Sequence, residues 1–348
     1  MSTAAAIQGE AGAERAPVIT VDTGGSFVQG PGDASLLQAA LRGGLGLPYE
    51  CSSGGCGSCR IQVLEGEVES LWPDAPGLSA RDRRKGLQLA CQTRACGDAV
   101  IKVSLDGNCV PKVVPKVTSL TLVESRDLTR DIREFRFKAP GPAEFIAGQY
   151  AILRMPDGLR RCYSMSNLPN AEGYWDFQIK KVPSGKVSND LFALTPGSVI
   201  GVDGPYGLAH LVEGSTRPVV CIAGGSGLAP MVSIARAVGA DASRKLDFFY
   251  GGRTAADICG AEHLDDLPGF GTTLKYHPVV SSLDDPLSAG WSGLNGFVHE
   301  VVGREVGEAL RDSEIYFAGP PPMAEALQRL LMLELKVPFN QIHYDRFF

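Results

Sequence analysis

Apolar and polar residues change rhythm twice along this chain. From residue 117 to about 205 they alternate in short runs, "VTSLTLVES", "IREFRFKA", "QYAILRM", "WDFQIKKV" and "SVIGVDG", separated by turn signals such as "APGPAEF", "MPDG" and "LTPG". Period-two runs divided by turns predict an antiparallel β-barrel domain over 117–213. After it, over 214–348, continuous apolar runs lead through glycine turns into helical periodicity. "RPVVCIAG" passes through "GGSG" into "LAPMVSIARAVG"; "KLDFFYGGR" and "TTLKYHPVV" follow, and "SEIYFAGPP" precedes "MAEALQRLLMLELK". Alternating strands and helices predict a doubly wound parallel α/β sheet. Ahead of the barrel, "PVITVDT" and "SFVQGPG" read as a strand pair, "DASLLQAALRGG" as a capped short helix, and "RIQVLEGEV" and "AVIKVS" as further strands. These define a small sheet with one helix over 17–107, tied to the barrel by a Pro- and Lys-bearing linker, 108–116. Residues 1–16 show no pattern and read as a disordered lead-in without the basic-then-apolar layout of a secretory signal.

Length and composition agree with several cores: 348 residues, 44% of them hydrophobic. A net charge of −6 argues against a nucleic-acid or anionic-membrane surface. No apolar run reaches transmembrane length, and the expected location is cytoplasmic. Nine cysteines, an odd number with no secretory signal, disfavour a disulfide framework. Cys162 and Cys221 sit in strand-like runs and read as small buried hydrophobes, while Cys109 and Cys259 carry no spacing signal.

The remaining cysteines carry the chemistry. Cys51, Cys56 and Cys59 follow C-x4-C-x2-C, and Cys91 follows at a distance. This is the plant-type layout for a 2Fe-2S cluster held by four thiolates. Gly54, Gly55 and Gly57 let the backbone wrap an inorganic core closely, with N–H groups turned toward sulfur. Zinc sites favour two paired knuckles, and no second knuckle exists here. Cys96, only five residues beyond Cys91, competes for the fourth ligand position. With the surrounding strands, this domain is of the β-grasp ferredoxin type. Two further motifs are weaker alone. "RRCYSMSN" places Arg161 and Tyr163 on one face of a strand and Ser164 on the other; alone it reads rather as an exposed basic edge strand with a packed tyrosine. "AGGSGLAPM" is a glycine turn between strand and helix, lacks G-x-G-x-x-G, and reads alone as a tight structural turn.

Three domains of these types, in this order, resemble the NADH-dependent reductase components of bacterial multicomponent oxygenases. "YECSSGGCGSC", "LEGEVESLWPDAPGLSARDRRKG", "LACQ", "GKVS", "DGPYG", "AGGSGLAPMVS" and "VPFNQIHYDRFF" are similar to reductases of soluble di-iron monooxygenases, of toluene 4-monooxygenase and alkene monooxygenase type. The resemblance runs from about residue 18 to the end. It implies FAD bound by Arg161, Tyr163 and Ser164, with Ser164 near the hydride-accepting nitrogen. It also implies a pyrophosphate site at Gly185, Lys186, Val187 and Ser188, flanked by Ile179 and Lys180. For NADH it implies Gly224, Gly225, Ser226, Gly227 and Pro230, then Tyr250, Gly251 and Arg253, and Gly319, Pro320 and Met323. The family's cysteine before the last Gly-Pro is Ala318 here. The terminal Phe347 and Phe348 read as a plug in the core of the nucleotide domain, or, as the resemblance implies, Phe348 stacks on the flavin.

The implied path runs from NADH through FAD and the 2Fe-2S cluster to a Rieske-type ferredoxin or a di-iron hydroxylase. No E-x-x-H motif for a di-iron bundle occurs, and the five histidines are scattered, so oxygen activation belongs to the partner. A reductase of a Rieske aromatic-ring dioxygenase would carry the same domains, and an iron–sulfur redox sensor would carry the cluster without a full NADH path. Docking of the partner is expected around Tyr49 to Arg60, with Tyr49 and Ser53 as contacts.

Overall fold

A computed structural model of the chain describes residues 15–240 and 243–346. The expected lead-in thus falls almost wholly outside the described residues, and the Phe347 and Phe348 expectations lie outside them too.

The first layer is a mixed five-stranded sheet in the order β2-β1-β7-β3-β5. β1 (Val18–Val21) pairs antiparallel with β2 (Ser26–Val28) and parallel with β7 (Ala99–Lys102). Helix α1 (Leu36–Arg42) starts at Ser35, whose hydroxyl accepts from Gln38 N–H, and buries Leu36, Leu37 and Leu41 on the sheet. β3 (Arg60–Glu65) leaves the cysteine loop and leads into β4 (Val68–Ser70). The stretch that sequence periodicity did not resolve holds α2 (Ala80–Arg84), β5 (Leu87–Leu89) and β6 (Thr93–Ala95). Elements this short span less than two periods, so their pattern is invisible.

The second unit is antiparallel, in the order β11-β10-β13-β8-β9-β12. Its strands are β8 (Lys116–Asp127), β9 (Ile132–Lys138), β10 (Tyr150–Arg154), β11 (Arg160–Ser164), β12 (Tyr174–Lys180) and β13 (Val199–Tyr206). A bridge between Met165 and Phe177 joins the two edges and closes the barrel. Helix α3 (Lys186–Phe192) caps it, its Leu191 buried with Phe135, Phe137 and Phe177.

The third unit is wholly parallel, in the order β17-β16-β15-β14-β18-β19. It contains β14 (Val219–Gly224), β15 (Leu246–Gly252), β16 (Leu274–Val280), β17 (Leu294–Asn295), β18 (Glu314–Gly319) and β19 (Ile342–Arg346). Helix α4 (Leu228–Gly239) covers one face; α5 (Val298–Glu305) and α6 (Pro321–Gln328) cover the other. The predicted helix 323–336 is divided, since α6 passes into a wider π-type turn over Arg329–Glu334. The run "IHYD" is strand β19, as its pattern predicts.

The first two units share a core. Tyr150, Ile152 and Tyr206 of the barrel are buried among Leu47, Tyr49 and Cys59 of the cysteine domain. Arg42 pairs with Asp33 and with fully buried Asp203, whose carboxylate also accepts from Tyr206 Oη at 2.7 Å. Both groups meet the same oxygen, Oδ1, so the buried charge is paired at the junction although Oδ2 has no hydrogen-bond partner.

Candidate electron-transfer site

The cysteine loop joins α1 to β3 and is shaped by local backbone. Gly54 and Gly57 stand at φ 87° and 78°, and Ser52 at 50°. These left-handed turns aim N–H groups inward: Ser53 and Cys56 N–H donate to Cys51 Sγ at 3.4 Å, and Ser58 N–H to Cys56 Sγ at 3.4 Å. The four thiols form two pairs. Cys56 hydrogen-bonds Cys51 and holds its pKa down at about 4, while Cys91 does the same to Cys59, lowering it. Among the described residues no three such groups converge on a point suited to a single ion. Two thiol pairs under inward N–H groups are the donor set that a two-iron cluster needs. Cys96 is exposed, whereas Cys91 is buried and hydrogen-bonds Cys59.

Beside the loop lies a cleft of about 460 Å³ along β11 and the start of α3. It brings together Arg161, Tyr163, Ser164, Lys180, Gly185, Lys186, Val187 and Ser188. Ile179 is not among them; its side chain points into the barrel core. Two polar atoms of the cleft residues are buried without a partner, Ser164 Oγ and Gln178 Oε1. Such atoms cost about 1–3 kcal/mol each until a ligand satisfies them. A flat polar heterocycle with a pyrophosphate fits this cleft, with a guanidinium and short-helix N–H groups at one end and orphaned acceptors at the other.

A second cleft, about 480 Å³, opens at the carboxyl ends of β14, β15 and β18, the place where open α/β sheets bind ligands. Gly224, Gly225, Tyr250, Gly251, Arg253, Pro320 and Met323 line it, as the motif implied. The other nominees act differently. Ser226 turns into the first cleft, so the glycine turn faces both. Gly227, Pro230 and Gly319 do not line the cleft: a Cβ on Gly227 would overlap the Ala318 carbonyl, Pro230 is buried in the first turn of α4, and a Cβ on Gly319 would strike Met323. Sequence reasoning did not nominate Asp131, Ser281 and Phe297, from loops, or His299, from the first turn of α5, which also line the cleft.

Two further readings change. Cys162 is not inert core: its Sγ lies 3.4 Å from the Cys51 carbonyl and it lines the first cleft, with burial pushing its pKa up to about 12. Tyr49 and Ser53 do not face a partner. Tyr49 is 5% exposed and its hydroxyl accepts from Gly207 N–H at 3.1 Å, while Ser53 lines the first cleft. Tyr150 reinforces this contact, its hydroxyl 2.8 Å from the Glu50 carbonyl and 2.7 Å from Ser52 Oγ. The barrel therefore covers the inner side of the cysteine loop. The reason escapes sequence reading because each contact joins residues about a hundred or more positions apart.

Comparison with known proteins agrees with each part. Residues 19–96 match the 2Fe-2S iron-sulfur cluster binding domain, 119–211 the oxidoreductase FAD-binding domain and 221–329 the oxidoreductase NAD-binding domain. The chain is 43% identical over 318 residues to a ferredoxin–NAD(P)(+) reductase of Metapseudomonas resinovorans, covering 90% of this chain and 94% of the relative. It is 36% identical to the ferredoxin–NAD(+) reductase component of an alkene monooxygenase system of Xanthobacter autotrophicus, covering 90% and 96%. Among solved structures, the ferredoxin reductase in carbazole 1,9a-dioxygenase superposes with a TM-score of 0.89 at 39% identity, over 95% of this chain and 98% of the other. Among the described residues no helix is long and apolar enough to cross a membrane. The chain belongs to the ferredoxin–NAD(P)(+) reductase family of oxygenase systems, an oxidoreductase with 2Fe-2S, FAD and NAD domains.

Proposed function

We propose that this reductase draws electrons from NADH and feeds an aromatic or alkene monooxygenase, through a Rieske-type ferredoxin or directly into a di-iron hydroxylase. One observation carries the electron path. Cys51 and Ser53 border the same cleft as Arg161, Tyr163 and Ser164, while Lys180 lines both that cleft and the nucleotide cleft. Three sites share walls, so no domain rearrangement is needed to connect them.

Bound FAD supplies the conversion from two-electron hydride to single electrons, and the cluster carries them one at a time. The residues hold and aim. Arg161 and the N–H groups at Gly185–Ser188 would hold the pyrophosphate of FAD, and Tyr163 would offer its ring to the isoalloxazine. Ser164 Oγ, buried and unpaired, meets the flavin's polar edge. Gly224 and Gly225 admit the nicotinamide close to the backbone, and Arg253 contacts the adenosine side. Positioning does this chemistry without an acid or base.

Stopped-flow mixing with NADH tests the path: flavin absorbance falls first, cluster absorbance second. Flavin reduction with a cluster that stays oxidised overturns it. A second reading, supply of a Rieske dioxygenase, has specific support, since relatives include a naphthalene 1,2-dioxygenase system reductase at 34% identity. Reconstitution with purified hydroxylase or with Rieske ferredoxin separates the acceptors. A cytoplasmic setting fits nine unpaired cysteines among the described residues and a supply of NADH.

A further inference from the structure

Away from the barrel, Trp72, Gly77 and Arg60 lie against Gly54 and Gly57 of the cysteine loop. The segment 71–86 is bound to the loop itself. Gly77 N–H donates to the Gly54 carbonyl at 2.9 Å, and a Cβ at Gly54 would lie 3.1 Å from the Trp72 ring. Trp72 is nonetheless 44% exposed. Behind it, Arg83 donates to the Pro73 and Ala75 carbonyls at 3.2 and 2.9 Å, which ties α2 to the same cap.

Charge on this cap is one-sided. Residues 71–86 hold four cations, Arg81, Arg83, Arg84 and Lys85, and two carboxylates, Asp74 and Asp82; Arg60 adds a cation. Asp82 is already engaged by the Ser79 cap and by Arg60 at 3.6 Å. Arg81, Arg84 and Lys85 are exposed and make no ion pair among the described residues. The neighbouring β3–β4 hairpin carries Glu65, Glu67 and Glu69, with Glu69 opposite Arg94 in the strand register, and Glu50 adjoins Cys51. In a chain of net charge −6 this is a local inversion of sign beside the cluster ligands.

We propose that Trp72, rimmed by Arg81, Arg84 and Lys85, is the docking surface for the electron acceptor, and that the acceptor is a protein with an acidic face around its own redox centre. The inference rests on the proposed path through the cluster. An exposed tryptophan suits the desolvated centre of a transient interface. Unpaired cations at its rim steer an acidic partner and speed encounter more than they tighten the complex. This replaces the expected docking at Tyr49 and Ser53.

The probe is cytochrome c in two forms, native and basic, or succinylated and acidic, reduced by the holoenzyme with NADH. At low ionic strength the succinylated form should react about ten-fold faster, and the advantage should vanish at about 0.5 M salt. The triple variant R81E/R84E/K85E should invert the preference, and Trp72→Ala should slow both forms, while NADH-driven bleaching of flavin and cluster keeps its wild-type rate in both variants. Equal reduction of both forms by the wild type, or an unchanged preference in the triple variant, overturns the docking surface alone. A cluster that NADH does not reduce in the wild type overturns the electron path and the docking surface with it.

Discussion

The cysteine loop, "ECSSGGCGSC", and the nucleotide turn, "AGGSGLAP", are both rich in glycine, yet the residue serves a different end in each. In the loop, Gly54 and Gly57 stand at φ 87° and 78°, where a side chain costs about 1–2 kcal/mol from backbone strain alone. The torsions turn N–H groups toward sulfur. In the turn, Gly224 and Gly227 have φ −144° and −63°, which any residue adopts. They are needed for lack of bulk: a Cβ on Gly224 would lie 2.7 Å from Met323 Sδ, and one on Gly227 would overlap the Ala318 carbonyl. The division is one of emphasis, since Gly225 of the turn also stands at φ 55° and a Cβ on Gly57 of the loop would lie 2.4 Å from the Gly77 carbonyl oxygen.

The largest expected effect separates the domains outright. Cys51→Ser, Cys56→Ser, Cys59→Ser or Cys91→Ser abolishes normal cluster assembly, read by visible and EPR spectra, while NADH still reduces FAD. Cys96→Ser keeps the cluster spectrum; its loss there would reassign the fourth ligand. Next, Gly227→Ala forces strand β18 away from α4, at about 1–3 kcal/mol. NADH-driven flavin reduction and melting temperature should fall with the cluster spectrum intact, and a wild-type melting temperature would show that space is not the constraint.

A smaller effect tests polar complementarity in the flavin cleft. Ser164→Ala removes a buried hydroxyl that has no partner in the protein. The apoprotein should be as stable as wild type or more so, while FAD affinity and hydride transfer fall by the value of one hydrogen bond, about 1 kcal/mol. A drop in apoprotein stability would mean the hydroxyl has a structural role instead. The smallest concerns the coenzyme. Arg253 and Asp257 both line the nucleotide cleft, and Asp257 is held by Arg130 at 3.1 Å. NADH should be preferred in kcat/KM, and Asp257→Ala should narrow the gap by admitting the extra phosphate of NADPH. Equal kcat/KM for both coenzymes in the wild type would remove Asp257 from specificity.

Legibility followed the length scale of each signal. The barrel strands and the parallel sheet were readable because each run covers several periods, as in β9 and β12 with seven residues apiece. α2, β5 and β6, three to five residues long, were not. Cleft residues carried by a motif, such as Arg161 and Gly224, were found. Phe297 and His299 were not, since the N-cap and first turn of α5 bear no chemical signature and only the tertiary fold brings them to the cleft.

By itself the sequence determined the three domain types, and it showed the cysteine spacing and the two glycine motifs. These are short-range properties: a period of two or 3.6, or a spacing of a few residues, acts through the local backbone. The tertiary structure decided that Cys91 lies with Cys59, that Cys162 faces the cluster loop, and that Tyr49 is buried under Gly207. Which side of a loop is covered depends on packing between surfaces far apart in the chain, and no local pattern encodes that choice. The buried junction of Arg42 with Asp203 and the shared core around Tyr150 and Tyr206 settle it, leaving Trp72 and the cations of α2 outward.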